Sequence, residues 1–120
     1  MLKAIIEELS KIAPCYSLES FNVDKAIINP LFFVVDISET ETIGRFSHKT
    51  LFVYMYAPLS AHYLTMVEKK EIIKHLHKKR LSKKEEEGDF WIEYKRASFS
   101  KVDKTVNKRC VCMEFFIPAL

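Results

Sequence analysis

Glycine is almost missing from this chain: Gly44 and Gly88 are the only two in 120 residues. They stand far apart, and the phosphate-binding loop, the dinucleotide fingerprint and the G-x-S-x-G nucleophile turn each need glycines close together, so none of these is present. Four prolines are similarly few, which predicts few loops and fairly long elements. The three cysteines, Cys15, Cys110 and Cys112, are odd in number and lack a paired spacing. Free thiols in a reducing cytoplasm are expected rather than a disulfide framework. No apolar run approaches the ~18–20 residues of a membrane span. The N-terminal stretch MLKAIIEELSKIAP is periodic and carries Glu7 and Glu8, which does not suit a signal peptide. Nor is there a large excess of one charge. Nineteen Lys and Arg against sixteen Asp and Glu give +3, too mild to imply nucleic acid unless the basic groups cluster on one face.

What is present is an ordinary globular balance, 48% hydrophobic and 29% charged, at a length that fits one domain spanning 1–120. Nine Phe and five Tyr sit mostly in strand-like runs, more than one small core needs. Leu2, Ile5, Ile6, Leu9 and Ile12 follow the i, i+3, i+4, i+7 rule, with Lys3, Glu7, Glu8 and Lys11 on the other side. That is an amphipathic helix in need of a partner surface, ended by Pro14.

A short strand fits within Tyr16–Asp24. The run Leu31–Ile37, LFFVVDI, reads as a strand covered on both faces. Leu51–Ala57, LFVYMYA, alternates Leu51, Val53 and Met55 against Phe52, Tyr54 and Tyr56, and the two runs pair as an antiparallel hairpin with a long connection. A helix is expected from about Ser60 to Leu81, with Met66, Ile73 and Leu76 buried and Tyr63 and Ile72 flanking. Its basic end, Lys78, Lys79 and Arg80, would suit the C-terminal dipole. After the charged loop SKKEEEGD come a strand at Phe90–Ala97, a turn around Ser100–Lys104 and a last strand at Thr105–Ile117. That strand sets Val111, Met113, Phe115 and Ile117 opposite Cys110, Cys112, Glu114 and Phe116. The fold class is α+β: a mainly antiparallel sheet of four to five strands, with the N-terminal helix and one longer central helix packed on it.

Candidate chemistry is sparse. His75 and His77 stand two apart on the expected helix, about 200° around its axis, and cannot share one ion; His62 is too far along to help. Cys110 and Cys112 point the same way from a strand, yet a zinc site wants four ligands and no second pair follows. They read as small hydrophobes on a sheet face. No catalytic, cofactor-binding or metal-binding residue is assigned, and no enzyme activity is expected. The basic run HLHKKRLSKK could contact phosphates, so a small nucleic-acid-binding domain using Lys78, Lys79, Arg80, Lys83 and Lys84 is the alternative; Glu85, Glu86, Glu87 and Asp89 follow at once and favour a solvated terminus. The aromatic runs lack the RNP1 pattern of an RNA-recognition sheet.

The connection Ser38–Thr50 is long for a hairpin and carries Ile43, Arg45, Phe46 and His48 among its polar residues. Long connections of this kind tend to be functional. These four residues, with Tyr54 and Tyr56 of the strand that follows, are the expected interface.

Together the stretches LKAIIEELSKI, NPLFFVVDISETETIGRFSHKTLFVYMYAP and VNKRCVCMEFFIP, with a helix between the last two, resemble the tail terminator, or tail completion, proteins of tailed bacteriophages and phage-tail-like particles. The shared pattern is a short helix, a P-x-F-F-V strand, a polar hairpin loop with a basic-aromatic pair, a strand of alternating aromatics, a helix and two closing strands. The basic run, the EEEGD loop and the segment Tyr16–Asn29 depart from it. The resemblance implies a structural virion-assembly protein and a homo-oligomer, a hexameric ring on the end of the tail tube that stops its growth. It implies tail-tube and neck or connector partners, DNA passing through the ring without specific binding, no membrane, no cofactor, and assembly in the bacterial host cytoplasm into a virion or phage-tail-like particle. A small domain with open sheet edges can close such a ring through heterologous contacts.

Overall fold

The structure is a computed structural model and describes residues 1–39, 49–60, 62–78, 80–82 and 89–118. The chain runs α1 (Leu2–Leu9), β1 (Cys15–Ser17), α2 (Val23–Ala26), β2 (Phe32–Glu39), β3 (Lys49–Pro58), α3 (His62–Leu76), β4 (Arg80–Ser82), β5 (Asp89–Trp91), β6 (Glu93–Asp103) and β7 (Lys108–Ile117). Five strands form one sheet in the order β1-β2-β3-β7-β6, and β4 pairs with β5 in a separate ribbon. The fold is α+β, as the sequence predicts, with one parallel pair: β1 runs alongside β2, Cys15 opposite Phe33 and Ser17 opposite Val35. The other pairs of the main sheet are antiparallel.

Period-two alternation sets the layers. On one face Phe33, Val35, Leu51, Val53, Met55, Val111, Met113, Phe115 and Ile117 meet Ile5, Leu9, Ile72 and Leu76 from the two longer helices. On the other face Phe32 and Val34 pack with Ala26, and Tyr16, Phe21, Tyr54 and Tyr56 lie around them. β2 is therefore covered on both sides, and Phe32, Phe33, Val34 and Val35 are all buried. The hairpin of β2 and β3 has the expected register, Phe32 opposite Tyr56 through to Glu39 opposite Lys49.

Several expectations are corrected. α3 ends at Leu76 rather than Leu81. His77 bridges in parallel to Ile92, Lys78 turns with φ 56°, and Arg80 begins β4. The described part of the basic run, 75–78 and 80–82, therefore does not lie along one helix end. The His77 N–H still closes the last helical turn on the Ile73 carbonyl at 2.7 Å, and the next donor, the Lys78 N–H, leaves the helix for the Ile92 carbonyl at 2.7 Å. In addition, the Tyr94 N–H donates to His77 Nδ1 at 2.8 Å, which anchors the imidazole to the start of β6. Among the described side chains of α3, Ile72 and Leu76 are buried, whereas Met66 is exposed. The strand expected to stop at Ala97 continues as β6 to Asp103, and the turn falls at Lys104–Asn107 with Asn107 at φ 53°.

Glu8 is the last correction. Expected on the polar side of α1, it is buried, with Oε2 accepting from Lys11 Nζ at 2.9 Å and Oε1 facing His75 Nδ1 at 3.0 Å. It ties α1 to α3 by a polar contact inside an otherwise apolar layer, where a paired charge is tolerated and a bare one is not.

Candidate functional site

Of the expected interface residues, Ile43, Arg45, Phe46 and His48 lie outside the described residues. Tyr54 and Tyr56 are described, and the fold gives them different surroundings. Tyr56 stacks on Phe32 with ring centroids 4.8 Å apart at 8°, and Phe21 adds a second ring at 6.5 Å. Burial pushes its phenol well above the usual range, and its hydroxyl meets the Cys110 thiol. Tyr54 sits one pair further along β3, between Phe52 at 6.4 Å and Phe99 at 6.4 Å. The segment containing Phe21 and α2 covers Tyr56 but does not extend over Phe99.

That leaves an aromatic floor on the β3–β7–β6 half of the sheet. Cross-strand register builds it: Tyr54 opposite Cys112 and Cys112 opposite Phe99, with Phe52 opposite Glu114 and Glu114 opposite Arg96. Phe99 is exposed, and Lys101 Nζ stands 4.9 Å from its ring centroid. Arg96 Nε donates to Glu114 Oε2 at 2.6 Å, and that hydrogen bond holds the Glu114 carboxyl below the usual range. Cys110 and Cys112 lie beneath the rings, buried; burial raises both thiols, Cys110 to about 11. Protonated and covered, they serve as packing here. Among the described residues no group of His, Cys, Asp and Glu is placed to hold a metal ion, and no helix is long and apolar enough to cross a membrane.

β6 forms one edge of the sheet, and its side chains from Lys95 to Val102 are exposed. Between it and α3 lie two adjoining cavities of about 260 and 330 Å³, which share Met66 and Lys69. Phe99, Ala97, Val111, Ile73 and Tyr94 complete their apolar lining. A long, open edge beside an apolar groove is a ready template for pairing with another chain. Sequence reasoning missed it because SFSKVD lacks the alternation that marks a half-buried strand; the usable signal was length, since EYKRASFSKVD contains neither Gly nor Pro.

Against known structures the fold is not new. It matches a chain of the virion of a native gene transfer agent particle. The match has a TM-score of 0.71, covers 99% of this chain and 93% of that one, and carries 10% sequence identity. At that identity it is the fold that is shared. No protein-family profile matches the sequence, and no curated protein matches it.

Proposed function

We propose that this chain is a structural component of a virion or phage-tail-like particle, acting as a ring-forming tail terminator that caps the tail tube and joins it to the neck. The observation that carries this reading is the fold likeness to a chain of a virion particle over nearly the whole length of both. The element order noted in the sequence points to tail terminators in particular. A sheet with open edges beside exposed apolar groups supports an assembly role, because such a surface is used by covering it with another subunit. The proposed partners are further copies of the chain, in a hexamer, with tail-tube and neck or connector proteins above and below. DNA would traverse the ring unread. No catalytic step belongs to this role.

The test is genetic and visual. Particles made without the protein should have tails of uncontrolled length or tails that fail to join heads, and wild-type protein supplied in trans should restore them. Arg45→Ala with Phe46→Ala should reproduce the defect while circular dichroism stays native. Head-joined tails of normal length in the absence of the protein would refute the terminator reading.

A further inference from the structure

The two edges of the sheet are unlike, and each carries what the other lacks. At the β6 edge the groove between α3 and β6 presents Met66, 56% exposed, with Phe99 and Ala97. The exposed charged side chains described on α3 and β6 are Lys70, Lys74, Lys95, Arg96 and Lys101, with Arg96 paired to Glu114; the acids of these elements, Glu68, Glu71, Glu93 and Asp103, are half-buried, which leaves the outer rim of the groove basic. At the β1 edge the segment Leu18–Ile28 presents Leu18, Ile27 and Ile28, the last 81% exposed. There the exposed charged side chains described are Glu19 and Asp24, both acidic. β1 and β6 are four strand spacings apart, roughly 19 Å at ~4.8 Å per spacing, so the segment does not fill the groove of its own chain.

We propose that copies of this chain associate head to tail, the Leu18–Ile28 segment of one seated in the α3–β6 groove of the next. Apolar side chains face apolar lining, and opposite charges flank them, which fixes orientation as well as attraction. A contact between two different surfaces is heterologous and propagates, closing into a ring when the rotation per copy allows it. The biological purpose rests on the ring reading above; the contact is tested apart from it.

Ile28→Lys disables the segment and leaves the groove intact; Met66→Lys disables the groove and leaves the segment intact. Both positions are exposed, so circular dichroism and the melting temperature should stay near the parent. By sedimentation, each variant alone should self-associate roughly 30-fold or more weakly than wild type, the loss of one anchor. Mixed in equal amounts, the two should form a 1:1 heterodimer and stop, because one good contact remains between them. Wild-type association should also weaken as salt rises. If either variant associates like wild type, the contact is wrong while the ring reading stands. If both fail alone and the mixture gives no heterodimer, the interface is two-fold and the head-to-tail arrangement is overturned. A wild type that stays monomeric at millimolar concentration overturns the proposed contact, and the tail-length assay then judges the terminator role separately.

Discussion

Phe115 is the residue on which the layer packing can be tested hardest. It lies in β7 with no exposed surface, opposite Leu51 on one side and Tyr94 on the other. Its ring meets Tyr94 edge to face, centroids 5.4 Å apart at 65°. Truncating a buried Phe to Ala costs about 3–5 kcal/mol, part transfer and part cavity. Neighbours from both adjacent strands are held by their own pairing and collapse little into the space, which keeps Phe115→Ala off the lower end of that range, at about 4 kcal/mol. For a chain of 120 residues the unfolding entropy near the midpoint is about 0.25 kcal/mol/K, so the melting temperature should fall by about 16 °C. Phe99→Ala is the control. That ring is 39% exposed and should cost only about 1–2 kcal/mol. The assay is a thermal melt followed by circular dichroism, with urea titration to show that the m-value is unchanged. Equal, small shifts for the two variants would refute the reasoning and mean that β7 is out of register by one residue, with Phe115 on the open face.

Three further outcomes follow from local geometry. Lys78→Gly should stabilise by up to about 1 kcal/mol, since Lys78 holds φ 56° and a side chain in that region costs ~1–2 kcal/mol, partly offset by glycine's freedom when unfolded; a variant melting below the parent would count against it. Glu8→Ala should cost about 1–2 kcal/mol by removing the buried acceptor that half-buried His75 and exposed Lys11 share, and combined with His75→Ala the losses should be less than additive in urea titrations. Burial raises Cys15 to about 12 and Cys110 to about 11, whereas the same thiols ionise near 8.5–9 when unfolded. Their contribution is therefore complete below about pH 8.5 and is lost as pH rises toward 11–12. The urea midpoint should fall across that window, and less steeply in a Cys15→Ala, Cys110→Ala variant.

The hairpin and the last strand were legible because both obey a strict period of two. LFVYMYA and CVCMEFFI alternate, and the structure sorts them onto two faces as the sequence does. α3 was legible as a helix but not at its end. Its apolar residues are spread around the axis, so nothing in the periodicity separates Met66, which is exposed, from Ile72, which is buried. What stops the helix is tertiary: the Ile92 carbonyl accepts the Lys78 N–H, a partner fourteen residues away that no local signal announces. Glu8 was misplaced for a similar reason. Helical spacing counted it as polar and therefore outer, and only the packing of α1 on α3 brings His75 to its carboxylate.

The aromatic surplus divides between two uses, and the division bears on function. Phe21, Phe32 and Tyr56 form a closed stack beneath the α2 segment, a second small core that fastens that segment over the outer face. By fastening it, the stack fixes Leu18, Ile27 and Ile28 at the β1 edge, where a loop of this composition would otherwise lose much of its apolar surface by collapsing onto the sheet. Tyr54, at the margin of that cluster, leads to Phe99, which stays exposed at the β6 edge. One set of rings thus holds the segment out, while Phe99 of the other lines the groove proposed to receive it. A domain serving itself alone would gain by burying both. An apolar edge flanked by acidic groups and an apolar edge flanked by basic groups, exposed on opposite sides of one five-stranded sheet, are the two surfaces that the proposed head-to-tail contact would bury together.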